Sequence, residues 1–250
     1  MKNSIAKKIY FSLGILFIFI IWIIGEAIID NNYVIPTISD TFKALLDLFT
    51  KGHTYQVLGH TLLRLLLSIS ISFILGLLLA ILSYKFKGFK WFNKPLIILF
   101  KTLPIAVVII LLWIMLGRDY APYYIVGVVV LPVVYEAVLI GFENINADIL
   151  DEVKITSNIT PKVVCKVHLP IIFPSILTAV IQSIGLGLKV LVMAEYITQP
   201  EYSIGNEFVY YRDITLEMEY LYAWSIILIL FVLGVELLIS CISKKRDLVL

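Results

Sequence analysis

The chain has 250 residues, 60% of them hydrophobic and only 15% charged, with a net charge of +2 and a mean hydropathy of +0.98. Soluble domains carry about a quarter charged residues, so little of this chain is free to form a water-facing domain. A charge balance this close to zero, with no basic-aromatic patch, argues against nucleic acid as a partner.

The first apolar run, about 9–29, follows Lys2, Lys7 and Lys8 in the manner of a signal peptide. It is close to the roughly 20 residues that cross a hydrocarbon core, and no small-residue cleavage site precedes Asp30. We therefore expect a retained helix. "VIPTISDTFKALLDLFTKG" comes next, with Ser39 or Asp40 as a start signal and an apolar stripe of Phe42, Leu45, Leu46 and Phe49. It reads as a short amphipathic helix lying on the outer surface.

Five further runs qualify as spans, at about 60–83, 95–116, 122–142, 170–195 and 221–243. They are continuous rather than alternating, which points to helices and not barrel strands. The predicted fold is an all-α integral membrane protein with six transmembrane helices in one domain, 1–250. Pro104, Pro132 and Pro174 are expected to kink their helices. Ser68, Ser70 and Ser72 with Gly76, and Gly185 with Gly187, offer small positions for close helix packing.

Lysine and arginine in the loops set the orientation. With both termini in the cytoplasm, thirteen basic residues lie inside, against four outside: Lys43, Lys51, Arg118 and Arg212. Cys165 and Cys241 then face the reducing side and read as free thiols. The outer loop from Thr198 to Glu219, acidic and rich in tyrosine, carries a "SIG" turn at Ser203 and is expected to hold a short helix near the solute entry.

One hydrophilic island interrupts the hydrocarbon, "DILDEVKITSNITPKVVCKVHLP" from Asp148 to Pro170. Asp148 is a plausible N-cap, with Asp151 and Glu152 in a first turn where the helix dipole favours negative charge. Asn158 tolerates the left-handed conformation that ends a helix, and Thr160 with Pro161 starts a second one. A cytoplasmic helix-turn-helix with apolar side chains among its charges suits docking into a groove of another protein.

This island resembles the EAA loop of ABC-importer permeases, the segment that binds the ATPase subunit. The family pattern runs Glu-Ala-Ala, three residues, Gly, nine residues, Ile, one residue, Leu-Pro. Here Glu152, Val153 and Lys154 stand at its first three positions, Asn158 replaces the glycine, and Leu169-Pro170 closes it. The alanines are lost, and the interval from Asn158 to Pro170 is one residue short of the pattern. "TLLRLLLSISISFILGLLLAIL" from Thr61, "LFKTLPIAVVIILLWIMLG" from Leu99 and "LGLKVLVMAEYI" from Leu186 resemble the nitrate, sulfonate and taurine subgroup, in its order.

The resemblance implies a type I permease domain with a coupling loop over 143–169. Asp151, Glu152, Val153, Asn158, Thr160, Pro161, Leu169 and Pro170 would contact the ATPase. The partners implied are ABC ATPase subunits, a second permease subunit in a homodimer, an extracytoplasmic solute-binding protein and the bilayer of a bacterial-type inner membrane. The solute implied is a sulfonate- or nitrate-like anion, or a pyrimidine-type vitamin precursor.

Ionisable groups within spans are costly. Lys101, Glu236 and Arg64 lie near span ends and are expected to snorkel. Glu136 and Lys189 lie deeper and are expected either to pair with each other or to line the path of the solute, with Glu195 as a third candidate for that path. His53, His60 and His168 show no ligand spacing, and no metal or cofactor is expected. The chain has no G-x-x-x-x-G-K-[ST], so ATP would be bound by the partner, and no enzymatic activity of its own is expected. The alternative reading is a self-contained secondary transporter or channel, for which no inverted repeat speaks. A membrane enzyme has no paired nucleophile and base to support it.

Overall fold

A computed structural model of the chain describes residues 2–145 and 167–246, and within them it is helical without strands. The helices are α1 (Lys2–Ile29), α2 (Ile38–Thr50), α3 (Gly52–Lys85), α4 (Lys87–Thr102), α5 (Ile105–Leu116), α6 (Ala121–Glu143), α7 (Phe173–Thr198), α8 (Ile204–Val209) and α9 (Met218–Arg246). A single turn, Leu169–Ile171, precedes α7, and a π-helical turn, Tyr210–Ile214, follows α8. Five helices are long and apolar enough to cross a membrane, and a sixth span is possible if α4 and α5 count as one. Without water in the hydrocarbon, continuous helices are the form in which such apolar runs can satisfy their own backbone.

The chain divides into two compact units, Met1–Gln56 with Glu207–Ile229, and Val57–Asn206 with Leu230–Leu250. In the first, the Trp22 indole donates to the Pro36 carbonyl at 3.0 Å and its ring lies 5.4 Å from that of Tyr222. Thr37, rather than Ser39 or Asp40, caps α2: its hydroxyl accepts from the Asp40 amide at 3.0 Å. The buried stripe of α2 is Thr41, Ala44 and Leu48, while Phe42, Leu46 and Phe49 point outward. The expected amphipathic helix thus exists, with its bulkiest apolar side chains left on the protein's exterior. That arrangement suits a helix lying against lipid.

In the second unit, α6 is the centre. Val126, Val130, Val134 and Val138 are all fully buried, a four-residue repeat that keeps one stripe inward. It packs extensively against α7, and Gly187 of α7 brings the backbone close to Leu65, Ile69 and Val130.

The third span is the main departure from the expected topology. It is two helices, α4 and α5, bent by 98°. Leu103 is extended, with φ −62° and ψ 130°, and Pro104 begins the next helix. Proline disfavours helical geometry in the residue before it and cannot donate to the preceding turn. α5 has 12 residues, about 18 Å at helical rise, too short for a core of about 30 Å. The other two prolines behave differently: Pro132 sits inside continuous α6, and Pro174 sits in the first turn of α7.

Candidate functional site

Two charged nodes, one buried corner and one helix face carry the chemistry within the second unit. The first node is Lys101 with Glu136. The Lys101 ammonium donates to both carboxylate oxygens of Glu136, at 2.7 and 2.9 Å, beside the α4–α5 break. Ten residues or so earlier on α4, Lys90 meets Glu143. Two lysine–glutamate pairs therefore fasten α4 along the last turns of α6.

The expected Glu136–Lys189 pair does not form. Glu136 is seven residues from Glu143, the end of α6, and Lys189 sixteen residues from Phe173, the start of α7. Those two ends lie on one side, since the Gly141 backbone meets the Ser175 side chain. At 1.5 Å per residue the two side chains start about 10 and about 24 Å from that side, too far apart in depth to pair. Lys101 does not snorkel alone, as expected; it takes the partner assigned to Lys189.

The second node is buried. Glu195 is fully enclosed, and Arg64 nearly so. Arg64 donates through Nη1 to Glu195 Oε1 at 3.1 Å and to the Tyr202 carbonyl at 3.0 Å, and through Nη2 to the Glu201 carbonyl at 2.9 Å. Thr61 donates to the same carboxylate and accepts from the Ile204 amide at 3.2 Å. Gln199, in the left-handed conformation with φ 50°, ends α7 and donates its amide to the Glu195 carbonyl. Glu195 is thus the anchor that ties residues 199–205 to α3, a role the sequence reading gave to neither it nor Arg64. Its carboxylate faces these partners and not an open path.

Lys189 stands apart. It is exposed on α7 and aligns with Thr178, Gln182 and Met193, also exposed, at spacings of four and seven residues. Among the described residues no ion pair holds its ammonium. A lysine and a glutamine on the outside of a membrane-spanning helix are unfavourable against lipid. This face is therefore suited to an aqueous path or to a neighbouring subunit. A groove of about 670 Å³ between α3 and α6 is chemically different: apart from Ser68, Ser72 and a few tyrosines, its walls are hydrocarbon.

The buried corner is the entry to α7. Leu169 is half-buried and Pro170 exposed in the turn before that helix. His168, just ahead of them, is completely buried, and burial pushes its imidazole pKa below the ordinary value. Asp151, Glu152, Val153, Asn158, Thr160 and Pro161 lie outside the described residues, as does the side chain of Glu236. Among the described residues, no group of histidine, cysteine and acidic side chains is placed to hold a metal ion.

In the first unit, Asp47 accepts from Tyr220 at 2.7 Å and pairs with Lys51 at 2.5 Å. His53 lies 2.8 Å from Glu207, and the Tyr211 ring stacks on Tyr220 at 4.7 Å. Burial beside Glu207 pushes the Tyr211 phenol up to about 12.

The family described as "Binding-protein-dependent transport system inner membrane component" matches residues 72–247, more than half of the chain. Two solved structures share its fold. One is a bacterial ABC transporter involved in the import of the acidic polysaccharide alginate, at 17% identity and TM-score 0.69 over 96% of each chain. The other is the MetNI methionine ABC transporter in inward-facing conformations, at 14% identity and TM-score 0.62, over 79% of this chain and 95% of that one. Among curated proteins, none matches the sequence.

Proposed function

Because the chain belongs to the family of binding-protein-dependent transport system inner membrane components, we propose that it carries a small solute across the membrane as the permease subunit of an ABC importer. A separate ATPase drives it, and an extracytoplasmic binding protein delivers the solute. The observation that carries the proposal is the family match itself, which runs through the hydrophilic island 148–170. That island is the docking site proposed for the ATPase, with Asp151, Glu152, Val153, Asn158, Thr160, Pro161, Leu169 and Pro170 as its contacts. Two copies would pair as a homodimer, with both termini of each copy in the cytoplasm. Closure of the ATPases would then displace the island and switch the path between its two faces, a rigid-body change of the domain-closure kind.

Of the solute classes considered, the exposed ammonium of Lys189 on a span favours an anion of the sulfonate or nitrate kind. It would provide one fixed positive charge on the path, while Glu136, neutralised by Lys101, would not oppose it. Glu195 belongs to the anchor around Arg64 and is not proposed for the path.

Co-expression with candidate ABC ATPases and reconstitution with a binding protein tests the assignment. Co-purification and ATP-dependent uptake of taurine or nitrate are the expected results. Substitution of Glu152 or Asn158 should leave hydrolysis running while uptake stops. Uptake that needs a solute or ion gradient and no ATP would instead establish the secondary transporter.

A further inference from the structure

The buried end of the hydrophilic island is built as an interlocked corner. Tyr84, one residue from the end of α3, stacks on Phe142, one residue from the end of α6, with centroids 4.8 Å apart and planes 17° apart. His168 inserts edge-on against both rings, at 5.8 Å and 88° to Tyr84 and at 6.5 Å and 74° to Phe142. Such edge-to-face contacts have a preferred angle, so they resist rotation as well as separation. His168 is wholly enclosed, and neither ring nitrogen has a hydrogen-bond partner among the described residues. Its contribution here is shape.

The neighbouring contacts leave the corner little slack. A Cβ on Gly141 would lie 2.9 Å from the Ser175 side chain and 3.3 Å from Ile172, so α6 and the start of α7 touch backbone to side chain. The Tyr135 hydroxyl donates to Ser83 at 3.0 Å, joining α6 to α3 beside the stacked rings. The Ile172 amide donates to the His168 carbonyl at 3.0 Å, so the histidine is continuous with the turn that enters α7. Close-packed interiors move as blocks and do not deform smoothly.

We propose that His168 is a positioning residue for coupling: its ring, packed edge-on against the stacked pair of Tyr84 and Phe142, makes the ends of α3 and α6 and the start of α7 move as one body when the island is displaced. The proposal rests on the importer reading for the source of that displacement, and on the corner's geometry for its transmission. A push on the island then reaches three helices at once, where a hinge at the same place would absorb it.

Spin labels at Lys85 and Ile171, both exposed, test this in a chain carrying Cys165→Ser and Cys241→Ser. In the purified permease alone, the native corner is expected to give one narrow distance between the labels. His168→Ala is expected to lose that single distance, and His168→Phe to restore it. In the complex with its ATPase, trapping with ATP and vanadate should leave the native distance unchanged. In His168→Ala the same trapping should shift the label at Ile171 relative to that at Lys85, while ATP hydrolysis persists. The proposal is overturned if His168→Ala keeps the narrow distance, if His168→Phe is as broad as His168→Ala, or if the native distance changes on trapping. Failure of any ATPase to bind would sink the importer reading, and the measurement on the permease alone would still decide whether the corner is rigid.

Discussion

Lys101 and Glu136 are joined by two hydrogen bonds, at 2.7 and 2.9 Å, beside the point where the third span turns through 98°. The break exposes the last turn of α4, and the pair holds that turn to α6. Glu136→Gln removes the partner of a cation in a membrane-spanning region, where an unpaired charge at the centre of a helix costs about 3 kcal/mol. Both side chains are partly exposed, so the expected loss in thermal unfolding of the purified permease is smaller, about 1 kcal/mol. The reversed pair, Lys101→Glu with Glu136→Lys, should recover most of it. A double variant no better than the sum of its singles would mean that the two residues do not act as a unit.

The Arg64–Glu195 node should respond far more strongly. Glu195 is completely buried, and its charge is balanced within this one cluster. Arg64→Met would leave a buried carboxylate without its cation and two loop carbonyls without their donor, a loss of about 3–5 kcal/mol. Replacing both residues together should be milder than replacing Arg64 alone, since no orphaned charge remains. Denaturation of the native chain and the two variants under one set of conditions checks the order, and a double variant as unstable as the single one would contradict it.

Gly205 offers a separate check on the same node. A Cβ there would lie 2.1 Å from the Tyr196 amide nitrogen and 2.4 Å from the Glu195 carbonyl carbon. Backbone atoms cannot step aside as a side-chain tip can, so Gly205→Ala must displace residues 201–206. Overpacking of this kind costs about 1–3 kcal/mol. Proteolysis within Thr198–Glu219 should become faster in this variant, and unchanged cleavage would show that the segment accommodates the methyl group.

These nodes also indicate which features a linear reading can and cannot see. The spans were legible because a run of about 20 apolar residues has few alternatives, and Pro104 marked the place where the third one breaks. The partners of the charges were not legible. Glu136 and Lys189 both read as deep, but depth is measured from a helix end, and the ends of α6 and α7 became known only once residues 143 and 173 were placed. Arg64 and Glu195 are 131 positions apart, and the loop carbonyls that complete their cluster leave no mark on composition. Likewise, of the stripe Phe42, Leu45, Leu46 and Phe49 read from α2, Phe42, Leu46 and Phe49 are exposed and Leu45 is half-buried, because periodicity does not say whether such a face meets protein or lipid.

Lys189 is expected to separate transport from stability. It is exposed and makes no ion pair among the described residues, so Lys189→Gln should change unfolding by no more than about 0.5 kcal/mol, as ordinary surface substitutions do. Its effect should fall on uptake, measured with taurine or nitrate in proteoliposomes containing the complete transporter. Lys189→Glu should reduce that uptake further, because it reverses the fixed charge on the α7 face. Full uptake in both variants would remove Lys189 from the path, and a large stability loss would place it in a subunit contact.

His168 gives the fold a dependence on mild acid. Burial lowers its pKa below the ordinary 6.5, because enclosure disfavours the imidazolium. The folded chain therefore keeps the ring neutral, while the unfolded chain takes up a proton as the pH drops through 6.5. The stability that neutral His168 permits is fully present above that value and is lost as the pH falls toward the folded-state pKa, by at most about 1.4 kcal/mol per pH unit. Carboxylates such as Asp47, whose pKa is lowered by its bonds to Lys51 and Tyr220, lose their contribution only in stronger acid. Thermal unfolding between about pH 7.5 and about pH 5 should accordingly decline in the native permease and decline less in His168→Phe, which keeps an aromatic ring against the stacked pair and cannot titrate. Parallel profiles for the two proteins would show that His168 is protonated as readily in the folded chain as in the unfolded one.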